Sequence, residues 1–129
     1  MKILEPAGIL ARSGARIAYG SDWPVDELNE WFALKVGVTR TNTPDAPAQY
    51  RGRLGTDPGL SPEAVLRAIT INSAYELHQD QETGSLEVGK LADFIVLDRN
   101  PLTIPHEEIA NTKVLKTVVG GKVVYQIPQ

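Results

Sequence analysis

Two β-rich runs, 114–119 and 122–125, meet at Gly120-Gly121. This junction constrains the fold more tightly than anything else in the chain. Both glycines accept positive φ without steric cost, which favours a tight two-residue hairpin. The C-terminal third must therefore supply paired antiparallel strands. Residues 93–97 form another aromatic and β-branched run, bounded by a turn at Gly89-Lys90 and by Asn100-Pro101, and predict a further strand. A short helical turn is expected over 106–110.

The front of the chain reads differently. Ile3, Ala7, Leu10 and Ala11 recur at helical spacing and predict a helix over 1–13, with Gly14 as its left-handed cap. Residues 16–20 predict a short buried strand that turns at Ser21-Asp22-Trp23-Pro24. A second helix is expected over 25–36, with Leu28, Trp31 and Phe32 on one face and the Lys35 stem laid along it. Helix, strand, loop and helix in this order make an α/β unit. Residues 39–60 contain Pro44, Pro47, Pro58, Gly52, Gly55 and Gly59 and predict a structureless loop. Long loops of this kind are commonly functional, and Tyr50, Arg51 and Arg53 offer contacts for a ligand. Ser61-Pro62-Glu63 is a helix start, with cap, first-turn proline and dipole-matched acid. Asn72 is expected to cap a shorter helix through Leu77. No internal repeat is visible.

Composition excludes several function classes. The net charge is -3 and the 13 basic residues are scattered, whereas nucleic-acid binding needs clustered Lys and Arg. There is no cysteine, so disulfides, thiolate nucleophiles and Cys-based zinc sites are absent. No apolar stretch approaches the roughly 18 residues of a membrane span. Neither a nucleic-acid nor a membrane partner is expected, and the reading is cytoplasmic. The only histidines, His78 and His106, have no H-x-H or H-E-x-x-H spacing.

Asp22 is the candidate carboxylate. On local sequence it has two readings: a catalytic acid at a strand end, or a structural Asp that caps the next helix or forms an Asx-turn. Trp23 beside it suits either a substrate pocket or simple packing. Arg51 and Arg53 suit either a substrate carboxylate or carbonyl, or a solvated loop.

A second segment narrows the choice. Thr70-Ile71-Asn72-Ser73-Ala74 is followed by Gly84-Ser85-Leu86-Glu87-Val88-Gly89-Lys90-Leu91-Ala92-Asp93-Phe94-Ile95-Val96-Leu97-Asp98 and Asn100-Pro101. Together with Gly20-Ser21-Asp22-Trp23-Pro24 and the final hairpin, this order resembles the C-terminal end of the amidohydrolase superfamily. It looks closest to the branch of N-substituted formamide deformylase-like and exoenzyme-regulator-like hydrolases. Ser73 departs from that pattern, which often has Pro there.

The resemblance implies a (β/α)8 barrel with an accessory β-sandwich. Residues 1–80 would be the end of the barrel: 16–22 its eighth strand and loop, 26–37 and 61–79 the helices that follow. Residues 81–129 would be the C-terminal strands of the sandwich. Asp22 matches the acid that binds metal and shuttles a proton between metal-bound water and the leaving nitrogen. The family's His-x-His pair, bridging Lys or acid and two further histidines lie on earlier strands. The chain would then hold roughly one quarter of a full enzyme. The intact protein is expected to hydrolyse an amide-type carbon–nitrogen bond of a small molecule with a divalent metal, zinc first. This chain alone is expected to bind no metal and to be inactive. The competing expectation is a non-enzymatic remnant or interaction module, a homo-oligomer paired through exposed β edges.

Overall fold

A computed structural model describes residues 5–25 and 27–128. Its helices are α1 (Ala7–Arg12), α2 (Glu30–Thr39), α3 (Pro62–Ala68) and α4 (Ile71–Glu76), and its strands are β1 (Phe94–Leu97), β2 (Val114–Val119) and β3 (Lys122–Gln126). Among the described residues no helix is long and apolar enough to cross a membrane.

The helices form the core. Leu34 and Val38 of α2, Leu60, Val65 of α3 and Ile109 pack together, with Ala7, Ala11, Ile17 and Ile104 against them. Ile109 belongs to a 3-10 helix, His106–Asn111, which lies along α2. Its expected bounds were close, but the type is 3-10.

Local capping follows the sequence in places. Gly14 stands at φ +92°, its N–H donates to Ala11, and the next N–H, of Ala15, donates to Leu10. That pair of bonds is a Schellman ending. Ile3 and the expected helix start lie outside the described residues. Ser61 caps α3 by accepting from Ala64 N–H at 3.1 Å.

The three strands make one antiparallel sheet in the order β1-β2-β3. Gly120 and Gly121 both have positive φ, +54° and +76°, as a type I′ hairpin requires. The turn is tied back to the start of β1: Gly120 N–H donates to Asp93 Oδ1 at 2.6 Å and Gly121 N–H to Ala92 O at 3.0 Å.

Four expectations need correction. Residues 16–20 belong to no sheet and are at most half-buried. Helices hold them instead: Tyr19 N–H donates to Ala68 O at 3.3 Å and Asn72 Nδ2 to Ile17 O at 2.9 Å. A strand needs a ladder partner, and none of the described residues provides one. The second helix begins at Glu30, because Asn29 caps it by accepting from Phe32 N–H; Asp26, within the expected helix, lies outside the described residues. Asn72 is the second residue of α4 rather than its cap, and its Nδ2 donates to Ile17 O instead; Thr70 holds the cap position, without a side-chain cap bond. The loop 39–60 has structure: a 3-10 turn at Ala48–Tyr50 and a bridge between Thr41 and Arg53.

Candidate functional site

Asp22 stands at the tip of the turn after residues 16–20. Its φ is +59°, a region Asp enters more readily than most residues. Its carbonyl accepts from Val25 N–H at 2.8 Å, which closes the turn around Trp23 and Pro24. The carboxylate is exposed, and no described residue engages it by hydrogen bond or ion pair. It does not cap α2, because Asn29 does.

The tip is tethered next door. Ser21 Oγ donates to Glu30 Oε1 at 2.7 Å. Glu30 opens α2, where its charge suits the positive end of the helix dipole. Trp23 is 65% exposed and packs into no core.

Arg51 and Arg53 lie elsewhere. They line a hollow of about 400 Å³ between α2 and the loop 40–55, and neither Asp22 nor Trp23 lines it. A smaller hollow, walled by Tyr19, Ser21 and Glu27, shares Phe32 and Val36 with it. Burial pushes the Tyr19 phenol up, against the pull of the Arg40 charge. The two arginines divide their roles. Arg53 Nη1 donates to Thr39 O at 2.8 Å and Nη2 to Asp57 O at 2.6 Å, pinning the loop to the end of α2. Among the described residues Arg51 donates only its Nε, to Ala46 O.

Two residues that the sequence did not mark as organising ones hold this region together. The fully buried Asp57 accepts from Gly8 N–H at 3.0 Å and Gly59 N–H at 2.8 Å on Oδ1, and from Ile9 N–H at 2.9 Å on Oδ2. Burial alone would raise its pKa. The three backbone N–H groups and the Arg40 charge outweigh that and hold the carboxyl below its usual value. Lys35 is also buried. Its ammonium donates to Thr41 O, Thr41 Oγ1 and Asn42 O at 2.8 to 3.0 Å. Asp57-Pro58-Gly59, with a proline directly before a glycine, is the one local sign of a special turn at Asp57; for Lys35 the helical spacing gave the face but not the partners of its ammonium.

Among the described residues no group of three or more His, Cys, Asp or Glu is placed to hold a metal ion. His78 and His106 are both exposed. Asp22 offers one carboxylate, while catalytic zinc takes about three protein ligands. The residues present do not by themselves make a metal centre.

Known proteins resemble this chain along most of its length. The model of the amidohydrolase family matches residues 1–125. N-substituted formamide deformylase of Arthrobacter pascens is 31% identical over 123 residues, which are 95% of this chain and 22% of that protein. Protein LONG AFTER FAR-RED 3 of Arabidopsis thaliana is 34% identical over 116 residues, 90% of this chain and 19% of that one. A solved structure from Bifidobacterium longum, of a protein assigned as a prolidase, superposes with TM-score 0.68 at 29% identity over 93% of this chain and 25% of its own. The chain thus spans 19% to 22% of the length of these two curated relatives. Matched over residues 1–125, the chain belongs to the amidohydrolase family.

Proposed function

We propose that this chain is the C-terminal part of a hydrolase that cleaves an amide-type carbon–nitrogen bond in a small molecule, with Asp22 as its proton-transferring carboxylate. One observation carries the reading: in a chain of this family, Asp22 stands exposed and uncommitted at a turn tip tethered through Ser21 and Glu30. A carboxylate so placed can take a proton from attacking water and return it to a leaving nitrogen. The Arthrobacter pascens relative is named a deformylase of N-substituted formamides, and a formamide is such a bond.

On this reading residues 1–80 end a barrel and 81–129 supply strands of a β-sandwich. Asp22 is one ligand of a divalent metal, zinc first, and the remaining ligands come from outside this chain. Trp23 meets the substrate beside Asp22. Arg51 and Arg53 meet a polar group of a ligand in the larger hollow, with Arg51 the more available of the two.

The test uses a polypeptide that joins these residues to the preceding barrel strands, loaded with zinc and given an N-alkylformamide. Asp22→Asn should lower kcat by about 10²–10⁴-fold. Turnover close to the wild-type value would overturn the assignment. The 129-residue chain alone should release no amine with or without zinc.

A second reading, an interaction module, is favoured by the sheet. β1 and β3 are its two edges. Phe94, Ile95 and Val96 on one, and Val123, Val124 and Tyr125 on the other, are all exposed. Open apolar edges recruit further strands. Light scattering over a concentration series should then show assemblies, and Val124→Lys should reduce them. A monomer at every concentration would sink this reading.

A further inference from the structure

The hollow of about 400 Å³ falls in the range of small-molecule sites. Its walls are of two kinds. Phe32, Val36 and Leu54 supply apolar surface, while Arg40, Arg51 and Arg53 bring positive charge, and no Asp or Glu lines it. The chain carries -3 overall, so the hollow runs against the sign of the molecule.

The three arginines are not equivalent. Arg53 is committed to the Thr39 and Asp57 carbonyls. Arg40 is buried, with Nη1 3.8 Å from the Glu5 carboxylate. Arg51 spends Nε on Ala46 O, and its two terminal nitrogens make no hydrogen bond to a described residue. Asp45 feels the Arg51 charge but forms no ion pair with it. The paired N–H groups at the end of a guanidinium match the two oxygens of a carboxylate.

We infer that this hollow binds a small carboxylate with an apolar body, gripped by Arg51 and packed on Phe32, Val36 and Leu54. The inference rests on the reading of Arg51 given above. It does not rest on hydrolysis, since Asp22 lies outside the hollow and binding is read without turnover.

Benzoate and its uncharged counterpart benzamide provide the test, by NMR titration of the ¹⁵N-labelled chain. Benzoate should shift the amide signals of Val36, Arg51, Gly52 and Leu54 and bind roughly tenfold or more tighter than benzamide. Arg51→Gln should abolish that preference while leaving signals away from the hollow in place. Arg51→Lys should retain only part of it, because charge remains and the fork is lost. Equal binding of the two probes, an unchanged preference in Arg51→Gln, or shifts confined to the β-sheet would each overturn the site. The amide-hydrolysis assay can fail without touching this result, and the reverse also holds.

Discussion

Lys35 Nζ lies 3.1 Å from Glu107 Oε2, joining α2 to the 3-10 helix that packs along it. The two partners live in different surroundings: the Lys35 side chain is 5% exposed and the Glu107 side chain 65%. The ammonium also satisfies the Thr41 and Asn42 carbonyls. Lys35→Met should therefore cost about 2 kcal/mol, because it strips three part-buried acceptors of their donor at once. Glu107→Gln should cost less than about 1 kcal/mol, as solvent-facing pairs do. Urea unfolding of both variants measures the contrast, and similar losses would refute it.

Asp57 should make stability depend on acid. Its folded pKa is held below the ordinary 3.8. The contribution is then fully present above that value and is lost as pH falls through the lower folded value. Asp57→Asn keeps the acceptor for Gly8 and Gly59 but turns an amide group toward Ile9 N–H. Near neutral pH the variant should be about 2 kcal/mol less stable, and the gap should close in acid. Asp45, Glu87 and Asp98 are also held below their ordinary values by hydrogen bonds, so the quantity to follow is the difference between the two proteins in urea melts across pH. A constant gap would be the wrong outcome for this account.

Two glycines with positive φ should respond unequally to Ala. Gly59 has φ +78°, and a Cβ there would lie 2.5 Å from Val38 O, a backbone atom held in α2. Gly52 has φ +87° with nothing within 4 Å. Gly59→Ala should cost about 3 kcal/mol or more, combining backbone strain with overpacking. Gly52→Ala should cost only the strain, about 1–2 kcal/mol. Thermal melts of the pair decide; Gly52 as the more damaging site would contradict the packing.

Asn72 should act on the segment before the Asp22 turn. Its amide donates to Ile17 O from the first turn of α4. Asn72→Ala should speed hydrogen exchange at Tyr19 while leaving exchange in β2 and β3 unchanged. A uniform rise across the chain would instead mean general loss of stability.

What the sequence revealed was local. The Gly120-Gly121 hairpin, the Ser61 cap and the Gly14 ending each depend on residues a few positions apart, and each stands in the structure. Asp57 reaches back 49 residues to Gly8, and no periodicity or turn rule reports such a partner. The same limit explains residues 16–20: their composition suits a strand, but pairing depends on chain that lies elsewhere. For the site, the position of Asp22 at a turn was legible from Gly20 to Pro24. That Arg51 and Arg53 would serve different ends was not, because the bonds that commit Arg53 are made with carbonyls set by the tertiary fold.

The tethering of residues 16–20 has a directional consequence. Ile17 and Tyr19 direct their bonded carbonyl and amide at α4 and the end of α3. Ala18, between them, has neither its N–H nor its carbonyl bonded to a described residue. Any group that bonded to the Ala18 backbone would therefore leave both helix bonds of the segment in place, and with them the anchorage of the Asp22 turn.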